Sequence, residues 1–237
     1  MRLLVTRPVD EAERVAALLR ARGNEVVVAP LLRIETIENA DFGQGPWSGI
    51  LLTSANALRA VTPRRRNELI SLPVFAVGPR TAEAALAAGF SKVISAEGNA
   101  TDLGRVTAEQ LGSVRAPLLY LAGSDRARDL AGDLGERNIP VQTVVVYRAL
   151  PATKLPPAAR QTLQAGSLHG VLHYSRRSAA IFVDCAMADG LTEQARALTH
   201  YCLSARVAEP LSAAGATDIR IASHRDDGAL LELIPRG

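Results

Sequence analysis

What constrains this chain most is that it repeats itself. The run Gly49-Ile50-Leu51-Leu52-Thr53-Ser54-Ala55-Asn56-Ala57 is a short apolar strand signal that stops on two hydroxyls and turns into a helical pattern. Gly170-Val171-Leu172-His173-Tyr174-Ser175-Arg176-Arg177-Ser178-Ala179 does the same, with Gly170 and Ser175 where the first copy has Gly49 and Ser54. Two more pairings support it: Leu3-Leu4-Val5-Thr6 is answered by Leu118-Leu119-Tyr120-Leu121, and Thr81-Ala82-Glu83 with Ala87-Ala88-Gly89 by Val207-Ala208-Glu209 with Ala213-Ala214-Gly215. The offsets are 115 residues from Leu3 to Leu118, 121 from Ser54 to Ser175 and 126 from Gly89 to Gly215. Offsets that grow slowly along a chain are what a duplicated unit with a few loop insertions produces. Two similar lobes, each with a polar strand-end lip facing one ligand, are therefore expected.

Within each copy strands alternate with helices, which predicts parallel sheets. A strand at 3–6, a helix over 10–21 stopped by Gly23, and a strand at 25–29 make the first βαβ unit. The alternating run 31–37 reads as extended and half exposed rather than core. After a loop over 38–46 come the strand 49–53 with its helix from 55, a strand at 73–77 ending in Gly78-Pro79-Arg80-Thr81, a helix over 82–88 capped by Gly89, a strand at 92–94 and a helix to 111. The second copy opens with a strand at 118–121, a helix over 125–137 and a strand over 141–148. Residues 150–163 are the most linker-like, yet the strand at 3–6 completes a sheet only by joining the segment C-terminal to them. The expected fold class is therefore α/β, with two similar doubly wound parallel-sheet lobes. One is a discontinuous domain of residues 1–35 and 149–237, the other an inserted domain of residues 36–148, and the extended runs 31–37 and 143–149 are the double connection.

Composition narrows the partner. Aromatic residues are only 4% of the chain, too few for the stacking platforms of single-strand nucleic-acid binders. A net charge of +3 suits an anionic small molecule and falls short of a duplex-binding stripe, so no nucleic-acid partner is expected. Cys185 and Cys202 match no metal-ligand spacing and read as buried small side chains in a reducing compartment. No apolar run approaches the roughly 20 residues of a membrane span and the N-terminus lacks a signal-peptide core, so a soluble cytoplasmic protein, without membrane association and monomeric, is expected.

Strand ends in Thr-Ser, Gly-Pro-Arg-Thr, Ala-Gly-Ser and Tyr-Ser-Arg place hydroxyls where open parallel sheets bind ligands and where helix N-termini attract carboxylate or phosphate. Ser54, Thr81 and Ser175 fit either as N-caps or as ligand donors; one alone reads as a cap, and recurrence on both lobes favours the ligand. Neither a P-loop nor a dinucleotide loop is present, and His169, His173, His200 and His224 lack paired spacing, so no cofactor and no metal site is expected; His173 reads as a packing residue. No nucleophilic triad is legible. Arg64-Arg65-Arg66 reads as a solvated face. Arg126 and Arg128, expected to open a helix after Gly123, and Arg176 and Arg177 on the second lip suit bidentate carboxylate binding or plain solvation alike. Tyr147 closes the alternating run before the second crossing; by spacing alone, a half-buried edge-strand tyrosine and a site residue read equally well.

Taken in order, Thr6-Arg7-Pro8, Leu52-Thr53-Ser54-Ala55-Asn56-Ala57, Ala76-Val77-Gly78-Pro79-Arg80-Thr81-Ala82, Leu121-Ala122-Gly123 with Arg126, Val146-Tyr147, Ser175 with Ser178-Ala179, and Cys202-Leu203-Ser204 resemble the uroporphyrinogen-III synthase family along the whole chain. The chain departs from the commoner pattern at Ser204 and Val207, where Gly and Thr are more usual, so no hydroxyl role is carried to position 207. The resemblance implies two α/β lobes joined by a two-stranded ladder and a cofactor-free lyase of porphyrin and heme biosynthesis. Such an enzyme cyclises the polycarboxylate hydroxymethylbilane to uroporphyrinogen III with inversion of ring D and loss of water. It implies Tyr147 as the residue assisting departure of the hydroxyl. Thr53, Ser54, Asn56, Gly78, Arg80, Thr81, Gly123, Arg126, Ser175, Arg176, Ser178 and Ser204 become substrate-binding candidates. The rival from another class is a non-catalytic two-lobed binder of a small anion.

Overall fold

Short β-branched and leucine runs punctuated by glycine and by helix caps give the chain its alternation. The computed structural model describes residues 1–111, 116–126 and 128–236. In order the elements are β1 (Arg2–Val5), α1 (Val9–Ala21), β2 (Glu25–Val28), β3 (Leu32–Thr36), β4 (Gly49–Leu52), α2 (Ala55–Arg59), α3 (Pro63–Leu69), β5 (Val74–Ala76), α4 (Pro79–Ala87), β6 (Val93–Ser95) and α5 (Ala100–Leu111). Then come β7 (Leu118–Gly123), α6 (Leu130–Gly135), β8 (Val141–Pro151), α7 (Pro157–Gln164), β9 (Gly170–His173), α8 (Arg176–Ala188), α9 (Thr192–Arg196), β10 (Thr199–Cys202), α10 (Ala205–Ala213), β11 (Ile219–Ile221) and α11 (Asp227–Glu232).

The chain divides into two compact units, one of Met1–Arg33 with Leu150–Gly237 and the other of Ile34–Ala149. In the first, the sheet order is β11-β10-β9-β1-β2, parallel throughout. In the second it is β3-β8-β7-β4-β5-β6, parallel from β8 to β6. β3 lies beside β8. Ile37 donates to the Val146 carbonyl (2.9 Å) and Ala152 to the Leu31 carbonyl (2.9 Å), so these two connecting strands run antiparallel.

Position by position, β9-β10-β11 in one sheet corresponds to β4-β5-β6 in the other, and β1-β2 to β7-β8. The tandem copies have thus exchanged their opening strands: β1 pairs with β9 of the second copy, and β7 of the second copy pairs with β4 of the first. Both sheets are buried on both faces, as parallel sheets require. In the first unit Leu4, Val171, Phe182 and Leu211 pack on one side and Leu3, Val5, Val15, Leu19, Tyr201 and Leu230 on the other. In the second, Ile50, Leu52, Leu119 and Leu121 oppose Leu51, Phe75, Leu118 and Tyr120.

The two echoing glycines have one physical cause. A Cβ on Gly170 would lie 2.8 Å from both the Thr199 carbonyl and the Tyr201 ring, and one on Gly49 would lie 3.0 Å from the Pro73 carbonyl and 3.2 Å from the Phe75 ring. In each sheet the aromatic of the next strand covers the glycine and leaves no room for a side chain.

Three expectations are corrected. The helix expected over 125–137 is only α6, because the Asp129 carboxylate accepts the Gly132 N–H (3.1 Å) and starts it there; Arg126 and Arg128 therefore precede the helix instead of opening it. Leu31, at the head of a run expected to be half exposed, is fully buried in the first unit's core. The linker-like stretch 150–163 contains α7, whose Ala159 and Leu163 are buried; Pro157 at its first turn is preorganised for a helix start. Cys185 and Cys202 are buried free thiols, pushed by burial up to about 11 and about 12, which leaves them unreactive.

Candidate active site

Open parallel sheets bind ligands beyond the carboxyl ends of the strands, at the point where the winding reverses. In the second unit the winding runs outward from β4 through β5 to β6 on one side and from β7 to β8 on the other, so the reversal falls between β4 and β7. Thr53 and Ser54 leave the first of these strands and Gly123 ends the second.

At this reversal four expected residues, Thr53, Ser54, Gly123 and Tyr147, and one unexpected one meet. Ser54 is the N-cap of α2 and its Oγ accepts the Asn56 N–H (3.2 Å). The same hydroxyl lies beside the Tyr147 phenol. A bulge between Ala122 and Gly123 sets Gly123 opposite Tyr147, and Ser124 N–H donates to the Tyr147 carbonyl (2.9 Å). The bulge re-aims the tyrosine so that its ring lies on Gly123, where a Cβ would come within 2.7 Å of Cζ and 2.9 Å of Oη. Burial pushes the phenol above its usual value; the neighbouring Ser54 hydroxyl works in the other direction, and Tyr120 and Asp125 add to the rise. Tyr147 is therefore protonated throughout the neutral range and suited to donate, not to act as a base. The unexpected member is Tyr120, nearly inaccessible at 3% exposure, whose hydroxyl lies 3.0 Å from Thr53 Oγ1.

The other candidates of this unit flank that group. Gly78 is the extended N-cap of α4, and a Cβ there would meet nothing within 4 Å. Arg80 is exposed in the first turn of that helix. Thr81, read as a possible cap, is not one: it is buried on the inner side of α4, and its N–H donates to the Gly78 carbonyl (3.1 Å). Asn56 Oδ1 accepts a hydrogen bond from the Arg59 guanidinium (3.2 Å). Arg126 is exposed and, among the described residues, has no ion-pair partner.

In the first unit the reversal lies between β1 and β9. Ser175 caps α8, accepting the Ser178 N–H (3.0 Å), and the two hydroxyls are 2.8 Å apart; Ser178 is buried. Arg176 is exposed and spends its guanidinium on Glu209 (2.9 Å). Ser204 is the N-cap of α10, without a side-chain capping bond. Val207, where the family more often has Thr, is buried at 5%, much like Thr81 at 6%, so the change falls at an inward position.

Sequence reasoning left Thr6, Arg7 and Tyr174 out of the site, although they end β1 and β9 at this same reversal. Thr6 Oγ1 donates to the Leu172 carbonyl (3.2 Å). The Arg7 guanidinium stacks 4.2 Å over the Tyr174 ring and pairs with Glu11 and with Asp227 (3.0 Å), whose other oxygen takes Arg14 (2.7 Å). The available signal was the position of Thr6-Arg7 directly after a buried strand. His173 and His200 also belong to this unit but not to its strand-end surface: both are buried, with Nε2 and Nδ1 3.1 Å apart and His200 Nε2 on the Ala195 carbonyl (3.1 Å).

Parallel sheets that carry hydroxyls, glycines and helix N-termini at their reversals define an α/β protein that takes a small polar ligand at its strand ends. A family model described as uroporphyrinogen-III synthase HemD matches residues 13–232. The chain belongs to the uroporphyrinogen-III synthase family, lyases of tetrapyrrole biosynthesis, and its reaction is closure of hydroxymethylbilane to uroporphyrinogen III with inversion of ring D and loss of water. The fold agrees with crystal structures of uroporphyrinogen-III synthetase from Helicobacter pylori (TM-score 0.65, 18% identity, 98% of each chain covered) and of a mutant uroporphyrinogen III synthase from Thermus thermophilus (TM-score 0.55, 14% identity, 98% of this chain and 96% of that one). No curated protein matches the sequence significantly. Among the described residues no helix is long and apolar enough to cross a membrane.

Proposed function

We propose that Tyr147 is the group that assists departure of the hydroxyl from hydroxymethylbilane. The observation that carries this is its phenol seated on Gly123, beside Ser54, at the reversal of the second sheet. The Ser54 oxygen accepts the Asn56 N–H, and the phenol, protonated at neutral pH, has its proton to give to the substrate. The C–O bond breaks, its electron pair leaves with the oxygen, and the phenol proton completes the water; the organic fragment is the cationic azafulvene. Closure through a spiro intermediate to the inverted ring releases a proton, which restores the tyrosine. Most of the remaining work is holding a flexible chain so that inverted closure outruns simple closure.

In this reading the carboxylate-binding positions of the second unit are Arg80, Arg126 and the backbone N–H groups around Gly78, and those of the first are Ser175, Ser204 and, in exchange for Glu209, Arg176. Thr81 and Ser178, being buried, preorganise the turns that present them. The two compact units are taken as the domains, and the protein as a cytoplasmic monomer.

The test is to incubate protein with hydroxymethylbilane, oxidise the products and separate the porphyrin isomers. Isomer III is expected from the wild type, with a fall of about 10²-fold or more for Tyr147→Phe. Full activity of Tyr147→Phe refutes the assignment, and isomer I alone from the wild type refutes the synthase activity. Single changes at the carboxylate-binding positions are expected to cause partial losses.

A further inference from the structure

Thr53 stands first at the polar end of β4, where a substrate-facing hydroxyl is expected, yet its Oγ1 is 3.0 Å from the Tyr120 hydroxyl. That partner is fixed: β7 is buried at all six positions, and Tyr120 packs with Leu51, Phe75, Leu103 and Leu130. Register pairs Leu51 with Tyr120, so the tyrosine reaches past the last residue of β4 to hold the one after it. The next residue is Ser54, the N-cap of α2, which lies beside the Tyr147 phenol. Tyr147 is itself held from β7, through the Gly123 bulge and the Ser124 N–H. Both the strand end that carries Ser54 and the Tyr147 ring therefore hang on one strand, with Tyr120 fixing the serine side and Gly123 the tyrosine side.

We propose that Tyr120 is a positioning residue for the cyclisation, acting through Thr53 to hold Ser54 in register with Tyr147, and that Thr53 serves this internal bond and not the substrate. The inference rests on the role given to Tyr147. Tyr120 touches no reacting atom. The bond matters because α2, the element after Ser54, is a single short helix of five residues, and the Thr53–Tyr120 contact ties the strand end that precedes it directly to β7. A hydroxyl latch between two buried-strand residues restrains the serine at the cost of no exposed group.

The test is a mutant cycle read as kcat and KM for formation of isomer III. Tyr120→Phe removes one oxygen from an otherwise apolar site and Thr53→Val removes the same bond from its other end, so either reads the latch if the other misfolds. Each is expected to lower kcat about five- to tenfold with KM within about twofold, and the two together to lower it no further than either alone. In a Tyr147→Phe background, Tyr120→Phe is expected to have no additional effect, because it acts through the phenol that is gone. A purely structural role would lower the rate equally in both backgrounds, and that result overturns the proposal. Wild-type kcat for Tyr120→Phe beside an impaired Tyr147→Phe overturns this inference alone and leaves the tyrosine's role standing. Full activity of Tyr147→Phe removes both.

Discussion

Gly123→Ala isolates the placement of the Tyr147 phenol from its chemistry. The added Cβ would sit 2.7 Å from Cζ, 2.9 Å from Oη and 3.0 Å from Cε2 of Tyr147. Ordinary carbon contacts lie near 3.5–4.0 Å, so the ring has to withdraw by about 1 Å. Misplacing a reacting group by that much costs about 10²-fold in rate, or about 2.7 kcal/mol of transition-state stabilisation. Stability should move far less. Gly123 is not among the glycines with positive φ, so alanine fits its backbone and gains about 0.4–1 kcal/mol by restricting the unfolded chain. Against that stands an overpacking cost near the low end of about 1–3 kcal/mol, because Tyr147 is only half buried and can swing outward. The expected outcome is a kcat for uroporphyrinogen III lowered about 10²-fold in a protein whose melting temperature shifts by no more than about 4 °C. Initial rates with hydroxymethylbilane, isomer separation and a thermal melt on the same preparation measure all three. Wild-type kcat would refute the reasoning, since a phenol that can be displaced without loss is not positioned for the reaction.

Three other variants probe the rest of the molecule. Gly78→Ala puts a methyl into space empty to 4 Å at an extended residue, so its melting temperature should be unchanged while KM rises several-fold, by kinetics, if a substrate arm passes there. Gly170→Ala drives a Cβ against the Thr199 carbonyl and should cost about 3 kcal/mol, more than Gly49→Ala, whose closest approach is 3.0 Å; urea titration of both variants ranks them. Burial depresses both His173 and His200, with the charge of His200 adding to the effect at His173, so the unfolded chain binds protons near pH 6.5 that the folded chain refuses. The stability from the neutral pair is present above that pH and lost as pH falls below it. The urea midpoint should drop between pH 7.5 and 5.5, and His173→Leu should flatten that slope.

The sequence by itself determined the elements and their kinship. Alternating strand and helix signals and hydroxyls after the strands reflect local rules of apolar periodicity and capping, while Gly49 and Gly170 stand at matching places for a cross-strand reason that the sequence shows only as a repeat. Where the local signal was ambiguous it misled: four candidate polar residues crowd 125–129, and only the Asp129 carboxylate on Gly132 decides that α6 starts there and leaves Arg126 outside. Thr81 carries a cap-former's side chain yet lies buried, because Gly78 three residues earlier takes the cap. The Thr53–Tyr120 bond spans 67 residues, and Gly123 meets Tyr147 only through a bulge; neither has any local signature. Which copy's strands pair with which is equally a matter of the assembled sheet, fixed by registers such as Leu3 with Gly170 and Leu51 with Tyr120. Periodicity and capping act over a few residues and are written in the chain. Sheet order and cross-strand hydroxyl contacts depend on which buried faces fit together, and only the tertiary structure decides them.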